Sequence, residues 1–476
     1  MSHLNDIEKQ KRQKLKEMVS QGIYPFGERY TVDCGVGELL EGFKEGKGVS
    51  VAGRIMAARA HGKSVFYDLK DSSARIQLYA GKDALGEEKF AFLKKLDIGD
   101  IVGVRGELFK TKTGEKSIKL TDIKILSKSL HPLPEKWHGL KDVETRFRQR
   151  YVDLIMNEDV KKIFKTRSAV IRKIREALDG KGFLEVETPM MHPIPGGAAG
   201  KPFKTHHEAL HRDLYLRIAP ELYLKKLLVG GFEKVYEINR SFRNEGISPR
   251  HNPEFTMLEA YEAYSDCGGM MKLVEEIIRG VAKDVLGKEK IEYQGKTIDL
   301  TKWETVSFAA LMEENFGIKP TDDETVWVRK LKEKGIKLGK DQVSRTQIIN
   351  IVGELVEPKA HNHPIFVVDM FTELCPLAKK KKDNPHLSDR FELYMGGIEV
   401  ANAYSELNDP IEQRKRLKDA GGQIDEDFLR ALEYGMPPAG GLGLGIDRLV
   451  MLFTDSANIR EVIFFPQLKE ESSYKP

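Results

Sequence analysis

The sequence predicts an α+β protein in two parts: a small five-stranded β-barrel, then a larger unit of helices flanking an antiparallel sheet. Three observations point there. At 476 residues the chain is too long for one ordinary core. Residues 49–126 have a β texture of short β-branched runs punctuated by Gly, Asp and Lys turns. Beyond about 141 the texture changes to amphipathic helical stretches alternating with strand-like segments.

Residues 6–20 read as a short polar helix, and a turn-rich stretch with Pro25, Gly27, Gly35 and Gly37 follows; together, 1–45 form a lead-in. Five strand-like runs come next: VSVAGRIMAARA, SVFYDLKD, ARIQLYAG, DIVGVRGELFKT and KSIKLTDIKIL. A helical segment, Glu87 to Leu96, separates the third from the fourth. Five strands with a helix at that place are the pattern of an OB-type barrel, assigned to 46–128. Pro132 and Pro134 block a helix in 129–140, which reads as a linker. The remainder, 141–476, opens with RFRQRYVDLIMN and an amphipathic helix from Val160 to Leu178. Segment 283–345 is lysine-rich and poorly punctuated.

Bulk properties exclude several classes. No apolar run approaches the ~20 residues of a membrane span, so no membrane partner is expected. The first residues carry no apolar signal core. Cys34, Cys267 and Cys375 lie far apart with no CxxC pair, which argues against a zinc ribbon or a disulfide framework and for a reducing cytoplasm. A net charge of +4 neither demands nor forbids a nucleic-acid partner, because a local basic face can be balanced elsewhere.

Three segments carry chemistry. The first is FEKVYEINRSFRNEG, the loop ISPRHNPE and the strand EFTMLEAY. As a hairpin it gathers Arg243, Glu245, Arg250, His251, Glu254 and Glu259. Arg243 and Glu245 would share one face, as would Phe255, Met257 and Glu259. Guanidinium groups suit phosphate and carboxylates suit amines, so a nucleotide fits; a solvated, salt-bridged hairpin is the plainer alternative. The second is GLGLGIDR, a glycine-rich strand before a helix starting near Ile446, with Arg448 in its first turn. A dinucleotide fingerprint fails there, because its third glycine would stand where Arg448 does. The third is RFELYMGGIEVANAYSELNDP, with Glu392, Glu399 and Glu406 seven apart. An odd offset puts alternate strand residues on opposite faces, so Gly396-Gly397 should mark a turn or bulge that resets the register. Carboxylates near a triphosphate suggest Mg2+, with a solvated acidic edge strand as the alternative.

FRNEGISPRHNPEFTMLEAY closely resembles motif 2 of the class II aminoacyl-tRNA synthetases, in the subgroup activating lysine, aspartate and asparagine. GGLGLGIDRLVMLF resembles motif 3, and KIREALDGKGFLEVETPMM resembles motif 1, a helix and strand ending at Pro189. With the barrel, the resemblance covers nearly the whole chain. It implies a class II catalytic domain at 141–476 and an anticodon-binding barrel. It also implies ATP as substrate, Mg2+ on Glu392 and Glu399, and a homodimer formed through motif 1. Arg243 would meet the α-phosphate and the amino-acid carboxylate, and Arg250 and His251 the outer phosphates. Phe255 and Arg448 would sandwich the adenine, which Glu245 would also touch. Arg243 and Arg448 are the implied catalytic residues.

Glu221 in LRIAPELYLKKLL and Glu406 in SELND match the pocket glutamates of the lysine-activating members. Gly197, Glu259, Tyr261, Asn402 and Tyr404 match further lysine-pocket positions. Two glutamates aimed at one point suit an ε-ammonium and not a carboxylate, which disfavours the aspartate and asparagine enzymes. The implied partners are L-lysine, ATP and lysine tRNA. Ile398, Ala401 and Ala403 depart from the Arg, Gly and Gly of many bacterial members and leave pocket shape open. In the barrel, Phe66, Gln77 and Glu115 match anticodon-contacting positions, with Arg54 and Arg75 as supports. Core packing is the alternative for Phe66.

Overall fold

The computed structural model describes residues 6–134, 142–198, 200–336, 345–358, 361–421 and 423–469. Most of the linker (135–140), positions 337–344 of the lysine-rich segment and Ala199 lie outside the described residues. The chain divides into two compact units, 1–141 and 142–476.

The first unit begins with helix α1 (Asp6–Ser20), whose Met18 is fully buried in the barrel core. Strands β1 (Gly48–His61), β2 (Ser64–Lys70), β3 (Arg75–Gly81), β4 (Ile101–Lys110) and β5 (Lys116–Ser127) close a barrel in the order β1-β2-β3-β5-β4. Alternate residues such as Val102, Val104 and Leu108 point inward, as the period of two requires. The helix between the third and fourth strands, α2 (Lys82–Leu93), starts five residues before the expected Glu87. Gly86, at φ 78°, kinks it, so the part beyond the glycine is the segment whose periodicity was legible.

In the second unit, α3 (Glu158–Asp179) buries Val160, Phe164, Arg167, Val170, Ile174 and Leu178, one stripe at helical spacing. After it come β6 (Leu184–Glu185), α4 (Glu221–Val229), β7 (Lys234–Phe242), β8 (Glu254–Ala263) and α5 (Cys267–Val281). The chain continues through β9 (Glu304–Ser307), α6 (Phe308–Phe316), α7 (Glu324–Glu333), α8 (Arg345–Val356) and β10 (Ile365–Val368). It ends with β11 (Arg390–Met395), β12 (Ile398–Ser405), β13 (Ala439–Gly445) and α9 (Ile446–Phe453). The eight-stranded sheet has the order β9-β10-β11-β12-β13-β8-β7-β6 and is antiparallel except at its two outer pairs. Helices α3, α5 and α9 cover one face around a core that includes Leu258, Ile277, Leu444 and Leu449. The lysine-rich segment is thus folded in its described part: α6, α7 and α8 enclose a separate core around the fully buried Trp327.

A buried polar joint ties the three motif segments together. The Arg167 guanidinium on α3 pairs with Asp447 on α9 and donates to Thr256 Oγ1 on β8 at 3.0 Å. Asp447 also accepts the Thr256 backbone N–H at 2.7 Å. Neither Arg167 nor Asp447 stood out in the sequence, because buried ion pairs leave no periodic signal.

Candidate active site

The opposite face of the sheet, which α4 covers at β7 and β8, floors a cleft of about 1690 Å³ lined by β8, β12, β13 and the loops around them. Its floor is the glycine-rich strand β13. Gly441 lies between Tyr404 and Tyr261 on the neighbouring strands, and Gly443 between Asn402 and Glu259. A Cβ on Gly441 would stand 1.9 Å from Glu406 Oε1 and 2.5 Å from the Tyr261 ring. Glycine here lets the flanking side chains lie across the strand.

The third acidic segment folds as a hairpin. Gly396 and Gly397, at φ 57° and 78°, form its two-residue turn. The register shift lies elsewhere, where Leu393 faces Ala401 but Tyr394 faces Glu399, leaving Val400 as the extra residue of a bulge. Glu399 therefore lies on the same face as Asn402 and Tyr404, and Glu392, opposite Asn402, shares it. The glycine pair makes the turn, and the bulge does the resetting. Ile398, Ala401 and Ala403 pack into the core cluster on the other face, with Ala401 also touching the cleft.

At one end of the cleft the ionisable groups are buried. Glu221 opens α4, and its Oε1 accepts from Tyr404 OH at 2.7 Å and from Lys225 Nζ at 2.6 Å. Lys225, one turn along α4, is fully buried and also pairs with Glu406; both lie behind the cleft wall rather than lining it. Glu259, 4% exposed, accepts from Tyr261 OH at 3.0 Å. Burial pushes its carboxyl up to about 8, and Glu221 pushes the same way. Burial also raises Glu406, against the pull of Lys225, while Glu221 and Glu406 hold the Lys225 ammonium above its ordinary value. Arg217 and Glu237, also close to Glu259, pair with each other at 2.7 Å. Three carboxyls against one ammonium leave two carboxyls in excess in a dry pocket, and burial favours their protonated forms until a cation arrives. Gly197, at φ 86°, lines the same end against Glu221.

Lys225 escaped the sequence reading, although Glu221 and Lys225 stand at the i, i+4 spacing at which helical side chains meet. It occupies the space between the two glutamates on which the lysine assignment rests.

The other end is more open and is cationic. Contrary to expectation, Arg243 and Glu245 lie beyond β7, which ends at Phe242. The Arg243 N–H still donates to Pro253 O at 2.9 Å, but Pro253 has no N–H to continue the ladder. The Arg243 guanidinium crosses the Phe255 ring at 5.1 Å, and its Nε is buried without a hydrogen-bond partner. Burial depresses its pKa, with Glu245, Glu399 and Glu259 opposing. Arg448 donates to Glu399 O at 2.7 Å and Oε2 at 3.1 Å and meets His251 Nε2 at 3.2 Å. Burial and Arg448 lower the His251 pKa, favouring the neutral ring. Arg250 and Glu245 are exposed at the rim. In this arrangement Arg243, not Arg448, covers Phe255.

Glu392 is not among the lining residues; its oxygens accept from Arg390 at 2.5 Å and Tyr394 OH at 3.0 Å. Burial and Glu399 raise its pKa. Arg390 also reaches Asn402 Oδ1 at 2.9 Å.

On the barrel, Phe66 and Gln77 stand on one face of adjacent strands: Phe66 pairs with Tyr79, and Asp68 with Gln77. Phe66 belongs to a half-buried aromatic row that the sequence reading reduced to one ring. Tyr79 lies 5.2 Å from Phe66 and 5.9 Å from Phe109. The Gln77 amide oxygen accepts from the buried Ser117 hydroxyl at 3.1 Å, and Glu115 is exposed in the turn before β5. Arg75 is held by Asp68; Arg54 instead donates to Gly99 O at 2.7 Å, half-buried in the barrel wall.

An antiparallel sheet with this arginine- and glutamate-lined cleft, in one chain with an OB barrel, defines a class. The family described as tRNA synthetases class II (D, K and N) matches residues 142–469, and OB-fold nucleic acid binding domain matches 49–126. The chain belongs to the class II tRNA synthetases of the D, K and N group. More particularly, it is 53% identical to a lysine--tRNA ligase of Pelotomaculum thermopropionicum, over 98% of this chain and 95% of that protein. It is 52% identical to the lysine--tRNA ligase of Carboxydothermus hydrogenoformans and 50% identical to that of Moorella thermoacetica, each over 98% of both chains. No described helix is long and apolar enough to cross a membrane.

Proposed function

We propose that this protein is a lysine--tRNA ligase: it activates L-lysine with ATP and transfers it to the 3′ end of lysine tRNA, in the cytoplasm. The observation that carries this reading is the buried set Glu221, Glu259, Glu406 and Lys225. Its two carboxyls in excess of Lys225 suit a substrate with two ammonium groups, which favour their anions. An aspartate side chain would bring a further carboxylate to a dry, carboxyl-rich site, and an asparagine amide would bring no cation to it.

Glu221 and Glu406 receive the ε-ammonium, with Lys225 moving aside or sharing them, and Tyr404 and Asn402 shape that end. Glu259 takes the α-ammonium beside Gly197 and Tyr261. The lysine carboxylate then points to Arg243, whose orphan Nε supplies an unused donor. ATP lies toward Arg448, with its adenine against Phe255 and Glu245. Arg250 and the neutral His251 meet the outer phosphates.

The carboxylate attacks the α-phosphate in line and pyrophosphate leaves, giving lysyl-adenylate. A terminal tRNA hydroxyl then attacks the adenylate carbonyl and AMP leaves. No protein nucleophile is required: Arg243 and Arg448 neutralise charge that grows at phosphate, and the pocket holds the reacting atoms in line. Glu392 and Glu399 would hold Mg2+, since both are oxygen donors on one face of the hairpin, and a hard cation would favour the Glu392 anion against the burial and the neighbouring Glu399 that disfavour it. When bound, Mg2+ supplies further charge neutralisation at the phosphates.

The barrel, 46–128, reads the anticodon through Phe66, Gln77 and Glu115. Two copies associate through the motif 1 region, where Leu184 and Met191 are left exposed. Light scattering that gives only a monomer at working concentration contradicts the dimer.

The direct test is pyrophosphate exchange with a panel of amino acids. Exchange with lysine and not with aspartate or asparagine is expected, and no exchange with lysine overturns the reading.

A further inference from the structure

The far edge of the eight-stranded sheet carries a side-chain cluster that the reaction does not use. Glu304 opens β9, and the chain returns through β10 to pair with it in parallel, Glu304 opposite Ile365. Just before β10 stand His361 and His363. Their rings lie 5.9 Å apart, and one donor atom from each of Glu304, His361 and His363 lies within 4.8 Å of the others.

The hydrogen bonds around His363 are informative. Its Nδ1 faces Asn362 Oδ1 at 2.9 Å, and its Nε2 faces Glu304 Oε2 at 2.7 Å. A neutral imidazole has one N–H to give, and in this arrangement both ring nitrogens face oxygen acceptors. With the proton on Nδ1 and held by Asn362, Nε2 presents a lone pair toward a carboxylate. That pairing needs a second proton or a cation between them. A histidine whose other nitrogen is fixed by an oxygen is the usual orientation of a metal-ligating imidazole.

We propose that Glu304, His361 and His363 bind a divalent transition-metal ion of the Zn2+ class. Two imidazole nitrogens and one carboxylate oxygen are a borderline donor set, suited to Zn2+, Co2+ or Ni2+; Mg2+ and Ca2+ prefer oxygen alone. Glu304 and His361 are exposed and His363 is half-buried, so an ion reaches the site and keeps open positions for water. The placement also gives the ion a structural consequence. The chain leaves the sheet after β9, builds the core of α6, α7 and α8, and re-enters at His361 to His363. A metal on these three ligands clips both ends of that excursion, which is where a cross-link restrains a long loop most.

The test uses the tag-free full chain without ATP. Zn2+ is titrated by calorimetry, and Tm is read with and without Zn2+. One site is expected, with a Tm rise on binding. Affinity should fall about tenfold or more in His361→Ala, His363→Ala and Glu304→Gln, as loss of metal-site groups generally costs. Lysine-dependent pyrophosphate exchange in the three variants should match the unaltered protein, which shows that they fold. Absence of Zn2+ binding overturns the proposal, as an imidazolium–carboxylate pair then accounts for the cluster. Unchanged affinity in all three variants overturns it too, by placing the ion elsewhere, for example on thiols or the cleft carboxylates. Equal competition by Mg2+ also counts against it, because that marks an oxygen-only site.

Discussion

The two ends of the cleft are built on opposite principles. The glutamate end is dry and ion-paired: Lys225 bridges Glu221 and Glu406, and Tyr261 holds Glu259, while the buried Glu406 oxygens have no hydrogen bond of good geometry. The arginine end is half-open: Arg243 has an orphan nitrogen, and Arg448 pairs with the partly exposed Glu399 and meets a neutral histidine. A small ammonium can be matched only by charges fixed before it arrives, because a buried charge tolerates little misplacement. A triphosphate brings enough charge to draw on cations left exposed, as Arg250 is, or left with an unused donor, as Arg243 is. Selectivity is therefore preorganised, while nucleotide binding is organised by its ligand.

The comparison can be broken most forcefully at Lys225. Removing one partner of a buried charge network costs about 3–5 kcal/mol. Lys225→Met should lower stability in urea by that order, with lysine restoring part of it as its ε-ammonium takes the vacant place. A fold as stable as the original, with no extra protection by lysine, would show that the two glutamates do not depend on an ammonium. Arg243→Ala should leave the fold nearly intact and cut kcat for adenylate formation about 10²–10³-fold, as loss of one charge-stabilising donor does. A change confined to KM would make it a binding group only. Glu221→Gln should weaken lysine by about 1.5–3 kcal/mol, the worth of a hydrogen bond to a charged group, with KM for ATP unmoved. Equal losses for lysine and ATP would dissolve the distinction between the two ends.

How legible each end was follows from its physics. The barrel strands and the amphipathic helix α3 were readable because alternation and helical stripes repeat along the chain, as in Val160 to Leu178. The rim arginines were readable because charged residues crowd one short loop. Lys225 was not read, because its meaning depends on Glu406, far away in sequence and brought near only by the sheet. Nor could the bulge at Val400 be foreseen, since a bulge adds one residue without changing composition. Gly441 is the intermediate case: a glycine-rich strand was evident, but not that Glu406 and Tyr261 are what fill the missing Cβ's place. In the barrel, Phe66 was found alone, because Tyr79 and Phe109 join it only through pairing across strands. If that row stacks bases, Phe66→Ala should weaken tRNA binding by about 1–3 kcal/mol and leave pyrophosphate exchange unchanged. Unaltered tRNA affinity would return Phe66 to the core.

The mildest test uses pH and asks whether the glutamate end is preorganised in protonation as well as in shape. Glu259 titrates at about 8 in the folded chain, because burial and Glu221 both disfavour its anion. Its ordinary value, and so that of the unfolded chain, is about 4.3. The native state thus holds a proton that the unfolded state has lost. The stability this contributes is full below about 4.3 and disappears as pH rises through about 8. Without substrate, Tm should decline across that window more steeply than in Glu259→Gln, which cannot ionise. An α-ammonium beside Glu259 favours the anion, so lysine binding at pH 7 should release a proton, and lysine affinity should rise between about pH 6 and 8. Calorimetry in buffers of different ionisation enthalpy measures that proton directly. Binding with no proton released at pH 7 would mean that Glu259 is already ionised without substrate. The dry end would then be preset in charge as well as in position, and the contrast with the arginine end would be sharper than the buried carboxyl alone implies.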